Sequence, residues 1–196
     1  MPKIVNYEEQ RRHIATAAQR LIWQDGQGQA TVRKIAQEAD MSAGALRHCF
    51  ASQEALFSYV MTLVAEQVRA RLNATEIVQL TPDTAVDLLC QLIPLDEARE
   101  IEMTVWLNFS VMAARCEDMQ PLNAALYDEI HAFILRLLAL LLEQKMIAPV
   151  DDLEAATTSL HLLVDALSLH RLTQPERFSE TTVRDTLRNH LHTLAQ

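Results

Sequence analysis

At 196 residues, 49% of them hydrophobic and 22% charged, the chain is long enough to bury one large core or two small ones and has the make-up of an ordinary soluble globular protein. Its formal charge of −9 argues at first sight against a nucleic-acid partner, but the charge is split: the first 72 residues hold nine Lys+Arg and seven Asp+Glu, net +2, and the remainder carries −11. A mildly basic end joined to an acidic body would orient the protein on approach to a polyanion, with affinity set by well-placed contacts rather than by a large basic field.

The first helix is expected over about Tyr7 to Gln24, with Ile14, Ala17, Ala18, Leu21 and Ile22 on one face and the QDGQGQ loop ending it. Thr31 then offers a side-chain cap, and Val32, Ile35, Ala36 and Ala39 give a second short helix one buried face. Asp40-Met41-Ser42 breaks the pattern, and Ser42 is a second cap. Behind it Ala43, Gly44 and Ala45 form a leading turn almost without side-chain bulk, anchored by Leu46 and Phe50. A helix that starts so thinly can bring its backbone close to the floor of a DNA groove and leave Arg47 and His48 to reach phosphates or base edges. A fourth helix follows from the Ser52 cap to about Asn73, with Leu56, Phe57, Val60, Leu63, Val64 and Val68 on its apolar side.

Thr81-Pro82 opens a short fifth helix in cap-then-proline order, Pro94 closes it, and Asp96 opens a sixth reaching about Cys116. Asp118 to Met146, Asp151 to Leu172 and Ser179 to Leu194 supply three more, and no strand signal or repeat is present. The fold expected is all-α with about nine helices. Cys49, Cys90 and Cys116 are odd in number and widely spaced, which indicates neither a disulfide framework nor a Cys-x-x-Cys metal site and suits a reducing cytoplasm. MPKIVNYEEQ lacks the apolar core of a signal peptide, and the longest apolar run, Ala132 to Leu142, is broken by Arg136, so no membrane span is expected.

From about Tyr7 to Leu72 the chain resembles the DNA-binding domain of TetR-family transcriptional regulators, through the ATVRKIAQEA segment, the S-A-G-A-L turn and F-A-S-Q-E-A-L opening the fourth helix. The wording LRHCFASQ looks most like the BetI-type subgroup. The resemblance implies a three-helix helix-turn-helix domain over residues 1–52, a connecting helix over 52–73 and a helical ligand-binding and dimerisation domain over 74–196. It implies a homodimeric repressor on a palindromic double-stranded operator, released by a small-molecule inducer. Thr31, Arg33, Ser42, Ala43, Gly44, Ala45, Arg47, His48 and Gln53 are the residues expected to face DNA. Asp40-Met41 stands where the family usually has Gly-Val, Arg47 where it has a phosphate-contacting Tyr, Gln53 where it has a Lys, and Cys49 where His or Tyr is common.

In the acidic body, Met103, Trp106, Phe109, Met112 and Phe133, with Leu89 and Leu92, read either as the lining of an inducer cavity or as plain core. Glu102 lies four residues before Trp106, and a carboxylate beside aromatic rings suits an apolar or aromatic cation; the alternative is a solvated residue near a helix start. Leu160, Leu163, Val164 and Leu167, with Val183, Leu187 and Leu191 of the last helix, form apolar stripes that build a dimer interface or dock within one chain. His161 and Asp165, four apart, could ligate a metal, but no third ligand has suitable spacing and an internal hydrogen bond explains the pair as well, so neither metal nor cofactor is expected. His190 and His192 face different sides of their helix. No nucleophile motif or phosphate loop is present; the readings from other classes are a metal-dependent or otherwise catalytic helical protein and a small-molecule-binding module that has lost DNA.

Overall fold

The computed structural model describes residues 6–26, 30–75 and 79–194, and these are helical throughout their regular parts. In chain order the helices are α1 (Tyr7–Asp25), α2 (Val32–Glu38), α3 (Ala43–Cys49), α4 (Gln53–Ala74), α5 (Pro82–Leu89), α6 (Glu97–Ala113), α7 (Gln120–Glu143), α8 (Leu153–Thr173) and α9 (Glu180–Thr193). The last three residues of the expected QDGQGQ loop, Gln27, Gly28 and Gln29, lie outside the described residues. Gly26 closes α1 at φ 78°, a conformation costly for any residue with a Cβ.

The chain folds as two compact units, one running to Gln67 and taking in Thr104–Asn123, the other formed by Val68–Met103 and Ala124–Gln196. The sequence expectation placed a connecting helix over 52–73 and assigned everything beyond to a second domain. In the structure the C-terminal half of α6 clusters with the N-terminal unit, where Val105, Phe109 and Met112 line one apolar cleft with Ile22 of α1 and Phe57 of α4. In the N-terminal unit α1, α2 and α3 pack on one another around Ile14, Ala18, Ile35 and Leu46, all 1% exposed or less.

The C-terminal unit is organised around Leu89, Ile93, Ile134, Leu138, Leu141, Leu160, Val164, Val183 and Leu187. Thr81 opens α5 with a reciprocal cap: its hydroxyl accepts the Thr84 N–H at 3.1 Å while the Thr84 hydroxyl accepts the Thr81 N–H at 2.7 Å. Arg184 and Arg188 reach from α9 to Asp87 and Asp83 of α5 at 2.6 and 3.0 Å.

Most of the α8 and α9 stripe expected at a dimer interface lies inside the protomer. Leu160, Val164, Leu167, Val183, Leu187 and Leu191 are buried within a single protomer, and Leu163 packs partly buried against the same core. Leu160, Val183 and Leu187 have no exposed area to lose to a partner. The apolar residues that α8 presents outward are Leu162, 60% exposed, and Leu169, 41% exposed, seven positions apart and so on one face.

Candidate nucleic-acid interface and effector-side core

Local chemistry builds the α2–α3 pair. The Thr31 hydroxyl accepts the Lys34 N–H at 3.3 Å, and the Ser42 hydroxyl accepts the Ala45 N–H at 3.1 Å, so each short helix satisfies one of its open donors. Between them α2 ends in a Schellman arrangement: the Met41 N–H donates to the Ala36 carbonyl at 2.9 Å and the Asp40 N–H to the Gln37 carbonyl at 3.1 Å. This places Asp40 at φ 50°, in the left-handed region that Asp tolerates better than most residues, which is how the turn forms without glycine.

Leu46 and Cys49 face inward from α3, and Ser42, Gly44, Arg47 and His48 face solvent, with Ala43 and Ala45 half-buried. Arg33 and Arg47 are exposed and engage no ion pair among the described residues, leaving both guanidinium groups available. The expected contact Gln53 is already engaged, and so is the neighbouring basic residue Lys34. The Gln53 amide donates to the Ala30 carbonyl at 3.4 Å, and Lys34 pairs with Asp25 at 3.7 Å. Gln53 therefore ties the start of α4 to the segment before α2.

The residues that fasten α3 from behind were not legible in the sequence. The Tyr7 hydroxyl donates toward the His48 and Cys49 carbonyls at 3.2 and 3.1 Å. The Arg11 guanidinium lies 4.9 Å from the Phe50 ring centre, 4.2 Å from that of Tyr59 and 6.0 Å from that of Tyr7. The Tyr59 hydroxyl donates to Glu8 at 2.5 Å, and its pKa is pushed up to about 12, chiefly by burial and then by that carboxylate.

The residues expected to line an inducer cavity divide between the two units. Leu89, Leu92 and Phe133 belong to the core of the C-terminal unit, and Met103 is buried. Phe109 and Met112 line the cleft of the N-terminal unit, which also has Ile22, Phe57, Val105 and Asn108 on its walls and encloses at most about 200 Å³. A typical ligand pocket holds about 300–1,000 Å³. Trp106, half-buried, is not among the residues lining that cleft.

Glu102 is not a solvated carboxylate. Arg71, near the end of α4, holds it bidentately at 2.8 and 2.6 Å, and also donates to the Gln91 carbonyl at 3.0 Å.

No group of three or more His, Cys, Asp or Glu among the described residues is arranged to hold a metal ion. His161 is buried and meets His131 of α7, Nδ1 to Nδ1 at 3.4 Å, and it stacks on Tyr127 with ring centres 4.6 Å apart. Burial and the neighbouring His131 lower its pKa, while burial alone pushes Asp165 up to about 6.

The arrangement of two capped short helices with a thin leading turn agrees with the comparison to known proteins. The sequence pattern of bacterial regulatory proteins of the tetR family matches residues 14–60, and that of the BetI-type transcriptional repressor C-terminal domain matches residues 82–196. The chain belongs to the TetR family. This TetR-family chain is 32% identical over 195 residues to the HTH-type transcriptional regulator PksA of Bacillus subtilis, covering 99% of the chain and 94% of that protein. It is 28% identical over 134 residues to the HTH-type transcriptional regulator BetI of Brucella canis, covering 67% of each. Among solved structures, a transcriptional regulator from Rhodococcus sp. Rha1 superposes with a TM-score of 0.82 at 23% identity, over 92% of this chain and 93% of that one. A regulator from Saccharomonospora viridis, solved in complex with choline, gives 0.75 at 22% identity over 94% of each. The protein is thus a ligand-responsive, DNA-binding transcriptional regulator. Among the described residues no helix is long and apolar enough to cross a membrane.

Proposed function

We propose that the chain is a cytoplasmic homodimeric repressor whose two α3 helices enter successive major grooves of a palindromic operator, and which leaves DNA when a small molecule binds the C-terminal unit. The observation that carries this reading is the Ser42-capped α3 with its Ala43-Gly44-Ala45 leading turn and solvent-facing Arg47 and His48. The outward face of α8, with Leu162 and Leu169, is the surface that a second copy covers in this reading, taking the place of the buried stripe. Inducer binding favours a conformer in which α4 is displaced and the two recognition helices no longer match grooves about 34 Å apart.

For the inducer, the Arg71–Glu102 pair favours an organic cation. Glu102 already binds one planar cation, and the buried Arg71 Nε lacks an acceptor, so an incoming cation would replace a partner that is incompletely satisfied. Binding would then release the end of α4 from α6. A choline complex of a protein sharing this fold is compatible with that chemistry, though it bears on the fold alone.

Selection from random duplexes tests the central claim. It should recover a palindrome with half-sites one helical turn apart, and recovery of no preferred sequence would overturn the regulator reading.

A further inference from the structure

A seven-residue helix cannot fix its own direction. Its last carbonyls have no partner inside the helix, and its apolar anchors Leu46 and Cys49 sit on one side only. On α3 those carbonyls are met by Tyr7, a residue from the first turn of α1 that lies 42 positions before Cys49. One turn further along α1, Arg11 places its guanidinium against Phe50, which caps α3, and against Tyr59 of α4. Arg11 Nε is buried without an acceptor, so ring faces do much of the holding. Phe50 and Tyr59 pack at 5.4 Å between ring centres, and Glu8 accepts from Tyr59. Helices α1 and α4 therefore meet at the rear of α3.

We propose that Tyr7 and Arg11 are positioning residues for DNA reading: they set the direction of α3 against α1 and α4 without themselves reading bases. The proposal rests on α3 being the recognition helix. A small rotation of α3 displaces Arg47 and His48 from base edges while leaving exposed basic groups free to find phosphates. Loss of the clamp should accordingly reduce specific binding and spare non-specific binding, which depends mainly on charge.

The test uses the full chain, its selected operator and a random duplex of equal length. Tyr7→Phe keeps the ring beneath Arg11 and removes only the hydroxyl. It should weaken operator binding about five- to tenfold, the scale of one or two lost hydrogen bonds, with affinity for the random duplex, its salt slope and the melting temperature little changed. Arg11→Lys should retain more operator affinity than Arg11→Met, since Lys keeps a cation against the rings. An equal loss on both duplexes with a shallower salt slope would mean that the Tyr7 hydroxyl contacts phosphate, and unchanged binding on both would mean that it only packs; either overturns the proposal. Amide hydrogen exchange over Ala45–Phe50 reads the clamp without DNA. Faster exchange in Tyr7→Phe supports it and unchanged exchange refutes it, even if no operator is found and the regulator reading fails separately.

Discussion

Replacing Glu102 by Gln keeps the shape of the side chain and deletes one of the two charges that tie α4 to α6. Arg71 and Glu102 are 25% and 12% exposed, so the pair is neither a solvated surface contact, worth about 0–1 kcal/mol, nor a fully dry one, whose breakage costs about 3–5 kcal/mol. Arg71 makes three hydrogen bonds there, two to Glu102 and one to the Gln91 carbonyl. Gln can still accept one of the two, and Arg71 has some access to water, so the expected loss is about 1–2 kcal/mol, or about 3–6 °C in melting temperature for a chain of this size. Thermal unfolding followed by circular dichroism on Glu102→Gln, Arg71→Met and the double variant completes the cycle. The double variant should cost less than the two single changes together, by about 1 kcal/mol, and that coupling should persist at about 0.5 M salt because a partly buried pair is weakly screened. Coupling near zero, or coupling that vanishes with salt, would refute the claim that this pair joins the two helices. The same variants bear on the inducer. If an organic cation takes over Glu102, Glu102→Gln should abolish thermal stabilisation by hydrophobic cations, whereas hits confined to neutral or anionic compounds would remove that class.

Three further outcomes are expected. Arg47→Ala should cost about 1–3 kcal/mol of operator binding and relax choice at one position if Arg47 is bidentate on a base, or weaken all binding evenly and lower the salt slope by about one if it touches phosphate; an unchanged titration removes it from the interface. Leu162→Glu should split the dimer in sedimentation while each protomer stays folded, whereas Leu160→Glu should unfold it, and a Leu162→Glu chain that remains dimeric would place the interface elsewhere. Asp165 has a folded-state pKa raised to about 6, so the folded protein holds this proton more tightly than the unfolded chain and the resulting stability, present below about pH 4, is lost as pH rises through 6; Asp165→Asn should therefore raise stability by about 1–3 kcal/mol at pH 7.5 and leave it nearly unchanged at pH 4, and equal effects at both would reject the burial argument. His161 contributes with the opposite sign, since its lowered pKa makes its stability present above about pH 6.5 and lost as pH falls below it.

What the sequence revealed and what it hid divides by the distance along the chain over which each interaction acts. Thr31, Ser42 and Thr81 were readable as caps because a hydroxyl meets an N–H three residues ahead, and the Asp40 turn was readable because its left-handed backbone is a local preference. The partners of Glu102 and His161 were not, since Arg71 and His131 stand 31 and 30 residues away. On α8 the apolar residues were legible, but which of them the protomer itself covers was not. A helix apolar on two sides gives its fuller stripe to the protomer core, so Leu160, Val164 and Leu167 went inward and the sparser Leu162 and Leu169 remained outside. Periodicity locates a stripe without saying what covers it.

That distinction matters most for α3. At seven residues and about 1.5 Å of rise per residue, the helix spans roughly two turns, too short to be stable alone, and its leading turn of Ala, Gly and Ala adds little packing. The thin leading turn that would let it approach a groove is also what keeps it from orienting itself. Orientation must then come from residues whose own exposure to DNA is not needed: Tyr7 and Arg11 on α1 and Tyr59 on α4. Substitutions that alter operator choice are therefore expected behind α3 as well as on its exposed face, and those behind it should act through specific affinity with little effect on the salt slope.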